Sequence, residues 1–370
     1  MARRGGPKRA ADALPSRPVN GSALDKLSTH LGATWQNIAE ARRRTDHTLQ
    51  KLGVLTDLAS EDAAIIVYGS IGRSEVTEDS DVDWTLLIDG PSDPQHSQLV
   101  STVSDRLVDV GLNRPGRTDT FGVVADSHDL VLNIAGSQDT NENLTRRILL
   151  LFESVAITSP LVRKRVIGNI VDRYVMYDVV APRPEPPRRI IPHFLLNDVV
   201  RYWRTMASDY AAKMWERQNE GWGLRNIKLR FSRKLIFIAG LLTCFSFELD
   251  PPPDAAAIRQ DQANQSVRLA TFVRSRLDQP PLELLSSILL RIELDEVARK
   301  LLGSYDSFLG ILLDPEKRKE LKELKITDAL QSDVWQEARR ASHDFRDAVE
   351  ALFLAEGTLL KELTLRYGVF

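Results

Sequence analysis

A single cysteine, Cys244, stands in 370 residues, so no disulfide can form within the chain and a reducing compartment is the expected setting. Lying in an apolar run, that thiol reads as core rather than as a nucleophile. Long hydrophobic runs are missing too. The longest, residues 235–247, is shorter than a bilayer crossing and is interrupted by Gly240, Thr243 and Ser246. The basic N-terminus is not followed by the apolar segment of a secretory leader. These absences lead to the expectation of a cytoplasmic protein with no membrane insertion. Strong charge of either sign is also lacking: a net charge of -2 confines any contact with nucleic acid to local patches. The six histidines show no zinc-ligand spacing, and the chain has neither a G-x-G-x-x-G run nor a P-loop lysine.

What is present is an ordinary soluble composition, 43% hydrophobic and 27% charged, over a length that accommodates two domains. Residues 1–20 lack periodicity and are rich in Arg, Pro, Gly and Ala, which predicts a disordered basic arm. Helical spacing then places Leu24, Leu27, Leu31, Trp35 and Ile38 on one stripe, expected to pack behind the first strand.

The rest of the chain is organised around residues 65–89, IIVYGSIGRSEVTEDSDVDWTLLID. They read as a strand, a sharp Gly69-Ser70 turn into a short helical segment carrying Arg73, and a second strand holding Asp81 and Asp83. Side chains alternate along a strand, so Asp81 and Asp83 share a face and Val82 takes the other. Two ionised carboxylates side by side repel unless a cation lies between them, and hard oxygen ligands suit Mg²⁺ or Mn²⁺. The turn offers backbone N–H groups and a hydroxyl, as a phosphate requires.

Downstream, the pattern predicts a helix closing near Gly111 and short strands at 121–124 and 130–135. Helices bearing Leu144, Ile148, Leu151 and Phe152 and then spanning 161–177 follow. Five prolines between 182 and 192 make residues 181–193 a stiff connector. Beyond it everything reads as helix: 194–218, 223–245, 255–277, 281–302, 305–313 and a long last one over 317–367. On the wheel of the second of these, Arg225, Lys228 and Ser232 flank the apolar stripe on one side, and Arg230 and Lys234 on the other.

The arrangement GS-x10-D-x-D, with apolar residues before the Gly and after the second Asp, resembles the nucleotidyltransferase superfamily related to DNA polymerase β. The resemblance implies an α+β fold. A small mixed-sheet catalytic domain over 21–180 would be followed by an all-helical domain over 194–370. It implies transfer of a nucleoside monophosphate from an NTP or dNTP to a hydroxyl with release of pyrophosphate. Asp81 and Asp83 would hold Mg²⁺ or Mn²⁺, Gly69 and Ser70 would bind phosphate, and Arg73, Lys228 and Ser232 would be further nucleotide contacts. Arg73 could equally pair with Glu75 or Glu78 at the surface.

The family places a third carboxylate on a later strand. Here that strand reads DLVLNIAG, with Asn133 at the position in question; Asp129, Asp139 or no residue would complete the set. The acceptor is open among nucleotides, nucleic acids and proteins. Antiphage members that make oligonucleotides, with an effector protein as partner, remain among the options, as does priming from a terminal tyrosine such as Tyr367. Asn133 also leaves room for a nucleotide-binding or partner-binding module that has lost catalysis.

Overall fold

The computed structural model describes residues 21–115, 120–179, 189–216, 218–261 and 263–368. The basic arm expected over 1–20 and most of the proline-rich connector lie outside the described residues. In chain order the elements are α1 (Ala23–Leu31), α2 (Gln36–Lys51), β1 (Ala63–Val67), α3 (Gly69–Arg73), β2 (Trp84–Ile88), α4 (Gln95–Asp109), β3 (Val123–Asp126), α5 (Ser127–Leu132), α6 (Asn141–Phe152), β4 (Val155–Ala156) and α7 (Pro160–Val179). The helical half continues with α8 (His193–Glu216), α9 (Trp222–Lys228), α10 (Lys234–Leu249), α11 (Ala255–Gln260), α12 (Gln265–Leu277), α13 (Pro281–Ile292), α14 (Asp295–Leu313), α15 (Pro315–Glu323), α16 (Asp333–Leu354) and α17 (Leu359–Leu363).

The fold is α+β, with one mixed sheet in the order β3-β2-β1-β4. β1 is antiparallel to β2 and β4, whereas β3 runs parallel to β2 with Thr85 opposite Val123. Period-two alternation buries both faces of the sheet. Ala64 and Ile66 belong to a large core shared with the C-terminal helices, while Ile65 and Val67 join Trp84, Leu86, Val103 and Leu107 in a second core under α4. The large core is continuous from α1 through the sheet into α8, α10, α13, α14 and α16.

Several expectations from the sequence are corrected. The first helices do not sit mainly behind β1: α1 packs on α13 and α2 on α14. The run DLVLNIAG is not a strand; α5 begins at Ser127, directly after β3. Its apolar residues bury only Leu130 and Ile134, a spacing of four that one helical face satisfies. The long last helix is broken into α15, α16 and α17, with Leu324 and Ala355 extended at the ends of the first two. Among the described residues no helix is long and apolar enough to cross a membrane.

Candidate active site

The site is assembled where β1 ends and β2 begins. After Val67 the chain turns at Gly69, whose φ of 66° is a left-handed conformation that costs other residues about 1–2 kcal/mol. Space matters as much: a Cβ at Gly69 would stand 3.0 Å from Asp83 Oδ2. The glycine therefore lets the turn lie against the carboxylate. α3 follows, with no side chain capping its N-terminus. It ends in a Schellman-type closure, Glu75 N–H to Ser70 O at 2.7 Å and Ser74 N–H to Ile71 O at 3.2 Å, with Ser74 at φ 65°.

Gly72 on α3 is pressed against the backbone at the end of α6. A Cβ there would fall 1.7 Å from the Glu153 carbonyl oxygen, and neither backbone can give way cheaply. Gly72→Ala is expected to destabilise the fold by about 3 kcal/mol or more; a urea midpoint equal to wild type would show that α3 does not hold this close approach.

Asp81 and Asp83 lie just before β2 rather than within it. Asp81 forms an isolated parallel bridge with Asn113, and Val82 N–H donates to Asn113 O at 3.1 Å. Asp83 O accepts from Tyr68 N–H at 2.8 Å, tying the pair to the turn. Val82 and Trp84 both enter the second core, which sets Asp81 and Asp83 on the opposite side of the extended backbone, as alternation predicts. Asp81 is exposed and Asp83 half-buried. Burial pushes the Asp83 carboxyl up to about 6; Arg233 opposes the shift, Glu153 and Asp81 reinforce it, and Lys228 opposes it more weakly.

Lys228 ends α9, and a single π turn, Leu229–Arg233, separates it from α10. That turn changes which residues share a face. At 3.6 residues per turn, positions 228 and 233 would stand about 140° apart, but the wider turn lets both cations act on Asp83. Lys228 is half-buried. Burial first, and Arg318 next, depress its ammonium to about 8, against the pull of Asp81. Lys228 stands on the wheel flank expected from the sequence, whereas Arg233 does not, because the π turn has no pattern in the residues.

Ser232 faces away from this group. It is buried, 4% exposed, and interacts with the Tyr305 hydroxyl. Arg73 is likewise engaged inside the protein rather than at the surface: Nε donates to Glu75 Oε2 at 2.8 Å and Nη1 to Glu153. Burial opposes the Arg73 charge, but Glu75 and Glu153 outweigh it and hold its pKa well above the ordinary value. Glu153, 1% exposed, also accepts from Arg233 Nη1 at 3.0 Å, and Tyr305 Oη donates to Glu75 Oε1 at 2.6 Å. A buried chain of charges thus runs from α14 through α3 to Arg233.

The loop between α3 and Asp81 is held from two more sides. Val76 N–H donates to Thr45 Oγ1 of α2 at 3.1 Å; Arg318 of α15 donates to Thr77 Oγ1 at 2.8 Å and to Asp79 O at 2.9 Å. Helices from both ends of the chain therefore fix the approach to the carboxylates.

The candidates for a third carboxylate are placed otherwise. Asp129 and Asn133 lie on and just after α5, with Asn133 Nδ2 donating to Asp129 Oδ1 at 3.2 Å. Asp139 accepts from Arg147 at 2.9 and 3.1 Å and from Arg201 at 3.1 Å, in a buried cluster with Asp198 and Tyr174. Among the described residues no group of three His, Cys, Asp or Glu side chains is arranged to hold a metal ion. Tyr367 stands edge-on to His193 at 5.5 Å, and a Cβ on neighbouring Gly368 would meet Phe245. Phe245 is eleven residues along α10 from Lys234, about 17 Å, so Tyr367 belongs to the other end of that helix.

Residues 25–128 match the family described as "Putative nucleotidyltransferase DUF294". The match supports a nucleotidyltransferase-type family. It spans Gly69, Ser70, Asp81 and Asp83 and stops before Lys228 and Arg233. No curated protein and no solved structure matches the chain.

Proposed function

We propose that the chain is a metal-dependent nucleotidyltransferase that moves a nucleoside monophosphate from an NTP or dNTP to a hydroxyl acceptor and releases pyrophosphate. The observation that supports it most is the approach of Asp83 to the Gly69-Ser70 turn, with Asp81, Lys228 and Arg233 close enough to act on Asp83. The two carboxylates fit Mg²⁺ or Mn²⁺: both are hard oxygen donors, they share one side of the backbone, and Asp83 carries a charge that its surroundings compensate poorly. When bound there, such a cation neutralises phosphate charge and lowers the pKa of the attacking hydroxyl.

The chain's own residues do the positioning. The Gly69-Ser70 turn receives the β and γ phosphates, and Lys228 balances their charge. The hydroxyl oxygen then attacks the α phosphorus in line as its proton passes to solvent, and the bond from the α phosphorus to the bridging oxygen breaks as pyrophosphate leaves. Arg73 and Ser232, turned toward Glu153 and Tyr305, act through those residues rather than on the triphosphate. A triphosphate labelled at the α phosphorus tests the reading: label passes to the acceptor, or to a longer product, and not to released phosphate.

Lys228→Ala is expected to raise KM for the triphosphate about 10- to 100-fold, the loss of one charge-assisted contact of about 1–3 kcal/mol. Steady-state kinetics check this, and unchanged KM and kcat would remove Lys228 from the site.

The acceptor is a hydroxyl on a nucleotide, a nucleic acid or a protein; synthesis of an oligonucleotide in antiphage defence, read by an effector protein, is one form of this proposal. Attachment to Tyr367 requires the last turn to leave its place against His193. Intact mass after incubation with each nucleotide distinguishes a self-adduct from free product. A second reading, a nucleotide-binding or partner-binding module without turnover, is favoured by the lack of a third ligand beside Asp81 and Asp83 among the described residues.

A further inference from the structure

The flank of the α9–α10 rod that bears Arg230 and Lys234 takes no part in the site just described, yet it is built with care. Arg230 is half-buried and aimed: Nε donates to Asn226 Oδ1 at 2.6 Å and Nη1 to Ser342 Oγ of α16 at 3.4 Å. Asn226 Nδ2 in turn donates to Tyr210 Oη of α8 at 3.1 Å. Lys234 Nζ lies 5.9 Å from the centre of the Trp203 ring, which stacks on Phe237 at 5.5 Å and 19°. From α16, exposed Arg339 and Arg346 add their charges to the same face.

Most arginines of this protein meet a carboxylate. Here Arg346 does, pairing with Asp347 at 2.8 Å and with Glu350 at 3.8 Å. Arg230, Lys234 and Arg339 form no ion pair among the described residues. Burial depresses the charge of both Arg230 and Lys234; Tyr210 opposes this at Arg230 while Arg339 and Arg346 add to it, and at Lys234 Arg230 and Arg346 add to it while Glu350 opposes it. Arg230 and Arg339 are thus like charges set side by side with hydrogen bonds only to neutral groups at Arg230, and Glu350 offsets Lys234 without forming an ion pair with it, an arrangement that an incoming anion relieves.

The shape says which anion. α8 and α16 both pack on the rod between them, so Trp203 and Tyr210 on one side and Arg339 and Arg346 on the other border a strip floored by Asn226, Arg230 and Lys234. Arg230 and Lys234 are about 6 Å apart along the rod, and Trp203 and Tyr210 about 10 Å apart along α8. A row of cations beside half-exposed aromatic rings is the arrangement that takes successive phosphates and bases of a flexible strand. A lone small anion would use the cations and leave the rings idle.

We propose that this face binds single-stranded nucleic acid, its phosphates on Arg230, Lys234 and Arg339 and its bases on Trp203 and Tyr210, at a site separate from the Asp81–Asp83 cleft. The proposal does not depend on nucleotidyl transfer.

Fluorescence anisotropy of a labelled twelve-residue oligothymidylate, titrated with the full chain at several salt concentrations, tests it. Binding is expected to weaken with salt at a log–log slope of about −2, for three phosphates neutralised. Arg339→Glu and Lys234→Glu should each weaken it at least tenfold, Trp203→Ala about tenfold, and excess ATP should not displace the strand. Arg339 is exposed, so its variant keeps the wild-type melting temperature and separates lost binding from lost folding. Absence of binding by wild type, wild-type affinity in both charge-reversal variants, or displacement by ATP at concentrations that fill the cleft would overturn the proposal.

Discussion

Asp83→Asn is expected to abolish nucleotidyl transfer, by about a thousandfold or more, without lowering the melting temperature. The first half follows from the role assigned to the carboxylate pair: an amide in place of one of two metal-holding oxygens removes several kcal/mol of charge stabilisation at the reacting phosphate. The second half follows from the site's electrostatics. Burial raises the Asp83 pKa from 3.8 to about 6. At pH 7, above both values, the group is ionised in the folded and the unfolded chain, and the ionised form is the less comfortable of the two in the folded state. An isosteric neutral side chain relieves that disadvantage, so stability at neutral pH stays level or rises. The advantage of Asn shrinks as pH falls below about 6 and disappears below about 4, where Asp83 is protonated in the folded and the unfolded chain alike. A variant that lost activity together with several degrees of melting temperature would instead make Asp83 a structural residue. Asp81→Ala is expected to behave similarly, since Asp81 is exposed.

Glu153→Gln should have the opposite profile, with a loss of about 3–5 kcal/mol in stability. Its carboxylate is fully enclosed and serves two guanidinium groups at once, Arg73 and Arg233. Glutamine keeps the shape but brings an NH₂ donor toward groups that only donate. Arg73 would retain Glu75 alone, and Arg233 would be left without its acid partner. Adding Arg73→Met to Glu153→Gln should cost less than the sum of the two single variants, because the two residues share one interaction and their effects cannot add. Urea unfolding of wild type, both single variants and the double variant measures the coupling. A loss under about 1 kcal/mol for Glu153→Gln would mean that water reaches these guanidiniums.

Part of the candidate site is a local pattern in the sequence and part is not. The Gly69-Ser70 turn and the Asp81–Asp83 pair are local patterns, read from a glycine at a turn and from alternation over three residues, and the structure sets Asp83 against Gly69. Arg73 to Glu75 was within reach for the same reason, although it is a buried pair rather than a surface one. Glu153 is eighty residues from Arg73, and nothing in its own neighbourhood marks it out. Arg233 depends on a π turn that an ideal helical wheel cannot represent, and the same wheel sets Ser232 beside Lys228 whereas the structure buries it against Tyr305. The misread strand at 130–135 has a similar origin: a short apolar run suits strand and helix alike, and only the parallel pairing of β2 with residues 123–126 decides between them. The α+β class survived these errors because it rests on element types, not on their exact ends.

The most direct test of the central claim is pyrophosphate release by the wild-type chain, offered each NTP and dNTP in turn with Mg²⁺, with Mn²⁺ and with a chelator, beside Asp83→Asn. The account predicts that at least one triphosphate yields pyrophosphate in step with transfer of its monophosphate, only when divalent cation is present, and that the variant yields none. Turnover that persists in the chelator or in Asp83→Asn, release of orthophosphate in place of pyrophosphate, or no release from any triphosphate across acceptors bearing nucleotide, nucleic-acid and protein hydroxyls would contradict it.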